Sequence, residues 1–143
     1  MSVIASQAYH YARLWLTLGL FMLLVIIVLS LIAIDQSMIS FSYLDKVEHF
    51  IAWGMMMFWF VSLHPRRGLV LLAILLTLSL GVELAQALTT WRQGSAGDLI
   101  ANFLGLLAGW AIARATGGRL LRYLDEWLYR RANPNISPGR TTK

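Results

Sequence analysis

The sequence predicts an all-α integral membrane protein with four transmembrane helices and a C-terminal amphipathic interfacial helix. Hydrophobic residues make up 58% of the 143 residues and charged residues only 13%, whereas soluble domains are nearer half apolar and a quarter charged. Four apolar runs approach the ~20 residues that cross a bilayer. Most basic residues flank these runs instead of forming one continuous face, which argues against nucleic-acid binding.

The apolar runs define the predicted spans. The first lies between Arg13 and Asp35 and is too long for the apolar region of a signal peptide, so we expect it to remain as a helix. The second ends before His64-Pro65, where the proline removes a backbone donor and favours a turn. The predicted transmembrane domain covers residues 1–116, with spans at residues 14–34, 47–63, 69–88 and 99–113.

The chain beyond residue 116 has a different pattern. Leucines and a tryptophan recur there at helical spacing with arginines and acidic residues between them, which predicts an amphipathic helix over residues 117–131. Such a helix is suited to the membrane interface, with its arginines at anionic head groups, although packing against a partner protein would give the same pattern. Residues 132–143 are polar and basic, and we expect them to form a disordered tail.

The basic residues predict the orientation in the membrane. Ten of the twelve lysines and arginines fall on one side of the predicted spans, and only Lys46 and Arg92 fall on the other. Because cytoplasmic loops carry an excess of lysine and arginine, we expect both termini in the cytoplasm. Residues 35–46 and 89–98 are therefore predicted to lie on the extracytoplasmic side.

Polar side chains interrupt three of the four runs, always near the end predicted to face outward. Spacings of three or four residues place them on one face of each helix, and ionisable groups close to hydrocarbon are costly unless they are paired or hydrated. We therefore expect them to meet around one hydrated pocket. The set comprises Asp45, Lys46 and His49 on the second helix, Glu83 and Gln86 on the third, Arg92 in the loop, and Asp98 and Asn102 on the fourth.

Cations beside acids at the outer interface suit an anionic head group such as a lipid phosphate or pyrophosphate. His49, oriented by Asp45, can move a proton or act as a nucleophile, so the predicted catalytic residues are His49, Asp45 and Glu83. The predicted ligand-binding residues are Lys46, Gln86, Arg92, Asp98 and Asn102. Structural alternatives stay open: Asp45 and Asp98 can stabilise helix starts, and Gln86 and Asn102 can be interhelical hydrogen-bond partners.

Metal and cofactor signals are weak. His49 with the neighbouring carboxylates is compatible with a metal ion, but no HxxxH or HExxH spacing occurs. The absence of cysteine excludes a thiolate metal site or nucleophile. The sequence analysis therefore predicts no metal ligands and no cofactor.

The polar residues also carry a family resemblance. Asp45-Lys46-Val47-Glu48-His49-Phe50, Glu83 with Gln86, Arg92, Asp98, and Asn102 with Gly105 resemble the ordered pattern DKxxHF, ExxQ, R, D and NxxG of the VanZ-like membrane proteins. The resemblance covers about half of the chain. The stretch Trp91-Arg92-Gln93-Gly94 departs from the proline- and aromatic-containing turn of that pattern. The resemblance implies a location in the bacterial inner membrane and a role in teicoplanin-type glycopeptide resistance or in polysaccharide and envelope biogenesis.

The leading interpretation is an envelope protein whose outer-leaflet pocket binds a phosphate-bearing lipid or lipid-linked glycan precursor, with processing of that lipid left open. A second interpretation is a non-catalytic accessory protein that docks a partner envelope enzyme. A third is a proton-coupled transporter that uses Glu83 and His49, which the lack of a second polar layer disfavours. The sequence does not predict the oligomeric state.

Overall fold

The computed structural model describes residues 9–32, 42–88 and 95–134, and every regular element among them is helical. The predicted all-α class is therefore confirmed. A short 3-10 turn, Pro65–Arg67, joins the second helix to the third. The helices are α1 (Ala12–Leu31), α2 (Ser42–Leu63), α3 (Gly68–Ala87), α4 (Ala96–Thr116) and α5 (Arg119–Ala132). Residues 135–143, which hold most of the predicted disordered tail, lie outside the described residues.

Three segments are long and apolar enough to cross a membrane, and they identify a multi-pass membrane protein: Ala12–Leu31, Pro65–Ala87 and Ala96–Thr116. Helix α2 is of similar length, with 22 residues. It is not among the three, because Asp45, Lys46 and Glu48 make its first turns polar. The described residues thus support three of the four predicted spans.

Helices α2 and α4 run parallel and form the closest helix pair. A Cβ atom at Gly105 would overlap the carbonyl oxygen of Phe50, and one at Gly109 would overlap that of Gly54. Small residues let two helix backbones approach to van der Waals contact, and we call this line of close contact between α2 and α4 the seam. The seam continues the buried stripe of α4 on which Asp98 and Asn102 also lie.

The bundle has two distinct ends, which are defined by the helix termini that lie there. The polar end contains the N-termini of α2 and α4 and the C-terminus of α3, while the α5 end contains the other termini of these helices, the N-terminus of α1, and α5. The hydrophobic core lies between the two ends and is centred on α2. Its buried members include Trp53, Met56, Met57, Phe60, Val61, Leu75, Val82 and Leu106.

Helix α5 begins after a reversal at Gly117 and Gly118, which both have left-handed backbone angles with φ of 58° and 68°. Such angles favour glycine because a side chain would be strained there. The inward face of α5 carries Leu121 and the carboxyl of Asp125, both buried. The helix therefore packs back against the bundle instead of extending away from it.

Asp125 fixes α5 to the start of α1. Its Oδ2 accepts a hydrogen bond from the amide of His10 at 2.7 Å, and its Oδ1 accepts from the amide of Tyr11 at 3.0 Å and from Trp15 Nε1 at 2.8 Å. Burial raises the pKa of this carboxyl, but the three hydrogen bonds outweigh burial, so the pKa lies below its usual value. Tyr9 adds a hydrogen bond from its hydroxyl to the Ser62 carbonyl at 2.8 Å.

Candidate functional site

Six of the eight predicted site residues lie together at the polar end, and we call them the polar cluster. The side chains of His49, Glu83, Asp98 and Asn102 are buried. Asp45 and Lys46 lie at the rim, with side-chain exposures of 33% and 37%. The cluster comprises Asp45, Lys46 and His49 of α2, Glu83 of α3, and Asp98 and Asn102 of α4.

A chain of hydrogen bonds links three helices within the polar cluster. The Asn102 amide donates from Nδ2 to Glu83 Oε1 at 3.3 Å, which turns its Oδ1 toward His49 Nδ1 at 3.0 Å. Because Oδ1 can only accept, Nδ1 of the imidazole must be the protonated nitrogen. Glu83 Oε1 itself lies 3.5 Å from the same ring nitrogen. The arrangement leaves His49 Nε2 as the nitrogen that is able to react or bind.

The start of α4 positions the Glu83 carboxylate from a second direction. Ser95 caps α4, since its side chain accepts a hydrogen bond from the amide of Gly97 at 3.1 Å. The amide of Ser95 then points to Glu83 Oε2 at 3.4 Å. Both oxygens of Glu83 are thus held by α4. This contact explains how a carboxylate can be buried at the end of an apolar helix.

Lys46 crosses from α2 to α4 and pairs with Asp98. Its Nζ lies 3.1 Å from Asp98 Oδ1, and Asp98 is only 4% exposed. The absence of a side chain at Gly97 makes room, because a Cβ atom there would lie 2.7 Å from Lys46 Cε. A buried carboxylate therefore holds an ammonium group that is itself partly open to the surroundings.

Of the two other predicted residues, only Gln86 lies within the described residues. Gln86 is buried, and its side-chain amide donates to the Ser30 carbonyl of α1 at 2.8 Å. This is the interhelical hydrogen bond that the sequence analysis left as the alternative role for Gln86. Arg92 lies outside the described residues. Glu48, between Lys46 and His49 in sequence, is exposed.

Sequence reasoning missed the backbone contributions to the site. The amide of Ser95, the space at Gly97 and the carbonyl of Ser30 all contact predicted site residues. Ser95 carried a signal, because serine followed by the polar turn before α4 is typical of a helix N-cap. Gly97 and Ser30 carried none, since their roles depend on which helices are neighbours.

The charges limit what the polar cluster can bind. It contains three carboxylates, from Asp45, Glu83 and Asp98, but only one lysine and one histidine. An anion can approach at the rim, where Lys46 is exposed, and a cation can approach where the carboxylates face His49. A partly hydrated rim around a buried hydrogen-bonded base is compatible with binding and with proton transfer.

Comparison with known proteins identifies the family. The VanZ/LLP1 family model matches residues 5–121, which is more than half of the chain and includes α1–α4 and the whole polar cluster. No curated protein matches the chain, and no solved structure matches it either. The resemblance drawn from the polar residues is thereby confirmed. The chain belongs to the VanZ/LLP1 family.

Proposed function

We propose that this protein binds the phosphate-bearing head group of a membrane lipid or lipid-linked glycan precursor at the polar end. The observation that carries the proposal is the Lys46 ammonium, which is partly exposed yet held 3.1 Å from a buried carboxylate of Asp98. A lysine fixed in this way presents donors to an anion without losing all of its hydration. His49 lies one turn deeper, so a head group at Lys46 is within reach of its Nε2.

The proposed membrane placement has α2 as a fourth span. Its 22 residues would rise ~33 Å at 1.5 Å per residue, which is enough to cross the hydrocarbon core. Its polar first turns would then lie at the membrane surface, where Asp45 and Lys46 stay hydrated. His49, the next polar residue along α2, would not be exposed to lipid, because its side chain is buried among three helices.

The polar end is proposed to face outward from the bacterial inner membrane. Of the nine lysines and arginines in the described residues, only Lys46 lies at the polar end, and the other eight lie at the α5 end. Basic residues favour the cytoplasmic side, so both chain ends would lie in the cytoplasm. The outward site would then meet lipid-linked wall or polysaccharide precursors, which connects this proposal to teicoplanin-type glycopeptide resistance.

Helix α5 is proposed to lie in the cytoplasmic membrane interface. Its exposed apolar residues form one stripe beside the face that carries the buried Leu121 and Asp125. Arg131 lies 4.7 Å from the centre of the Trp127 ring, which places a cation beside an interfacial aromatic residue. The exposed members of the stripe are Leu120, Tyr123, Leu124 and Trp127.

Lipid binding is tested with purified protein in nanodiscs and a panel of polyprenyl phosphate, polyprenyl pyrophosphate, phosphatidic acid and a neutral lipid. We expect retention of the phosphate-bearing lipids, and at least a tenfold loss of affinity in Lys46→Ala, corresponding to about 1.4 kcal/mol for a charged hydrogen bond. Arg66→Ala, a basic residue exposed at the α5 end, is the matched control. Equal retention of the neutral lipid, or equal losses in both variants, would contradict the proposal.

The assignment of His49, Asp45 and Glu83 as catalytic stays a prediction. Release of inorganic phosphate from the retained lipids, measured in the same samples, tests it. We expect release to be lost in His49→Ala and kept in His64→Ala, which removes an exposed histidine at the opposite end. Retention without release would limit the protein to binding.

The accessory-protein interpretation is supported by a different observation. The buried members of the polar cluster bond to one another, so the cluster can join α2, α3 and α4 without any ligand. In that case Glu83→Gln would lower the unfolding temperature and leave lipid retention unchanged. A partner envelope enzyme would then be sought by crosslinking from the exposed apolar stripe of α5.

Sidedness is tested by thiol labelling, because the chain contains no cysteine and an introduced one is the single thiol. Glu48→Cys and His64→Cys place that thiol at exposed positions on opposite ends of the bundle. In intact spheroplasts, a membrane-impermeant maleimide should label the first variant and spare the second. The reverse pattern would invert the proposed orientation.

A further inference from the structure

Three side chains of the polar cluster have the geometry of a cation site. One nitrogen of His49 and one carboxylate oxygen from each of Asp45 and Asp98 all lie within 4.8 Å of one another. Ligand atoms bound to one ion at about 2.1 Å are separated by about 3 Å, so convergence requires only small side-chain rotations. Asp45 and His49 come from one turn of α2, and Asp98 comes from the facing turn of α4.

The imidazole of His49 is an independent indication of a ligand. The ring is 6% exposed, and its Nδ1 is occupied by Asn102. Within the described ranges its Nε2 makes no hydrogen bond, and it lies 3.9 Å from Asp45 Oδ1, beyond hydrogen-bond distance. On a side chain that is otherwise buried, a ring nitrogen with an available lone pair that lies beside a carboxylate is typical of a metal ligand.

The neighbouring residues match the surroundings of a histidine ligand. Metal-binding histidines usually donate their second ring nitrogen to an oxygen that fixes the ring. Here that oxygen is Asn102 Oδ1, and Asn102 is in turn anchored at 3.3 Å on Glu83 Oε1. The Glu83–Asn102 pair thus holds His49 Nε2 in one direction, toward the two aspartates.

We propose that Asp45, His49 and Asp98 bind a divalent cation with mixed nitrogen and oxygen preference, such as Mn²⁺ or Zn²⁺. The cation would balance the carboxylates of the polar cluster and present a positive charge at its rim. In that form the site attracts a phosphate more strongly than Lys46 does alone. This inference deepens the proposed function and rests on it for the lipid step, but cation binding is measurable without any lipid.

Lys46 does not block the proposed site. It contacts Oδ1 of Asp98, and the carboxylate has a second oxygen that can turn toward His49. The lysine side chain is 37% exposed, so its ammonium can move outward when a cation enters. There it would remain beside the bound ion and contact the same head group.

Cation binding is tested by titrating chelator-treated full-length protein in detergent with MnCl₂ and with ZnCl₂, followed by calorimetry. We expect one saturable ion per chain. Asp45→Asn should weaken binding at least about tenfold. The control is Glu48→Gln, which removes the same charge from an exposed position of the same helix and should change affinity less than about twofold because exposed charges are screened.

Absence of a saturable site for either ion would overturn the inference, as would equal losses in Asp45→Asn and Glu48→Gln. Because Asp45 lies at the rim, its variant is expected to fold, and circular dichroism before titration checks this. His49→Gln provides a second variant that should abolish the site in the folded protein.

The lipid step is separated from cation binding by repeating polyprenyl phosphate retention with MnCl₂ and with EDTA. Retention that persists in EDTA, in a protein that binds no Mn²⁺ or Zn²⁺, would overturn the cation site and leave the proposed function standing. Cation binding without retention of any phosphate-bearing lipid would uphold the cation site and contradict the proposed function.

Discussion

The two ends of the bundle each bury an acidic side chain that joins segments distant in sequence, but they do so with different partners. At the α5 end, Asp125 accepts hydrogen bonds from two backbone amides and an indole. At the polar end, carboxylates face the imidazole ring of His49 and the partly exposed ammonium of Lys46. One end is built from fixed donors, and the other from groups that can exchange partners.

This difference separates a carboxylate that serves the fold from the carboxylates that the proposed function uses. A carboxylate held by fixed donors has no reason to release them, because each released amide would be left unsatisfied. A buried carboxylate held by a rim lysine can exchange that partner for a bound cation, because the cation replaces the positive charge that the lysine supplied. Under the proposed function, the contacts that exchange lie at the end where Asp45 and Lys46 reach the surface.

The largest effect is expected at the seam that joins the two ends. Gly109→Ala places a Cβ atom into the Gly54 carbonyl oxygen, so α2 and α4 must separate. We expect a loss of about 3 kcal/mol or more in the free energy of unfolding, measured by denaturant titration in micelles. Gly81→Ala is the control, because no atom of the described residues lies within 4 Å of its Cβ position. Gly81 does not serve a close helix contact, whereas Gly54 does. Similar losses in both variants would contradict the role of the seam, because alanine has a higher helix propensity than glycine and by itself stabilises a helix.

A smaller loss is expected at the α5 end. Asp125→Ala removes three hydrogen bonds, of which the bond from the Trp15 indole is buried and those from the amides of His10 and Tyr11 are part-buried. This should destabilise the fold by about 2–3 kcal/mol. Lipid retention should be unchanged per folded molecule. The control Glu126→Gln alters the adjacent exposed carboxyl and should leave the unfolding temperature nearly constant. A loss of lipid retention in folded Asp125→Ala would contradict the view that the α5 end serves only the fold.

The same carboxyl predicts a pH dependence. Because the pKa of Asp125 is lower in the folded state than in the unfolded state, its stabilising contribution is complete above the unfolded value of about 3.9. That contribution is lost as the pH falls through the lower folded value. Between pH 6 and pH 3, the unfolding temperature of the wild type should therefore approach that of Asp125→Asn. A difference between the two proteins that stays constant over this range would contradict the assignment.

The smallest effect on stability is expected at the polar end. The double variant Lys46→Met and Asp98→Asn keeps the apolar part of the lysine side chain over Gly97 and removes both charges of the pair. No buried carboxylate is then left unpaired, so the free energy of unfolding should change by less than about 1 kcal/mol. Binding of polyprenyl phosphate should nevertheless fall at least about tenfold, as for Lys46→Ala. A stability loss as large as that of Asp125→Ala would mean that the polar end is structural too.

Much of this could be predicted from the sequence because it depends on local pattern. Apolar length set three spans, Gly117 and Gly118 marked the start of α5, and spacings of three and four residues on α4 identified its buried stripe. Helix α2 shows the limit of this reasoning: its polar first turns keep it below the hydropathy of a span, although its length is sufficient. Gly81 shows a second limit of this reasoning, because a glycine in an apolar run does not reveal whether a neighbouring helix lies close to it.

The sequence by itself determined the helices, the membrane class and the residue types available for chemistry, because these follow from periodicity, hydropathy and side-chain composition. Only the tertiary structure decided which polar groups meet. The direction of the His49 ring is set by Asn102, Asp125 turns inward to the start of α1, and Gln86 pairs with Ser30 of α1. Hydrogen bonds between helices depend on which helices are neighbours and at what height, and no local pattern encodes that register.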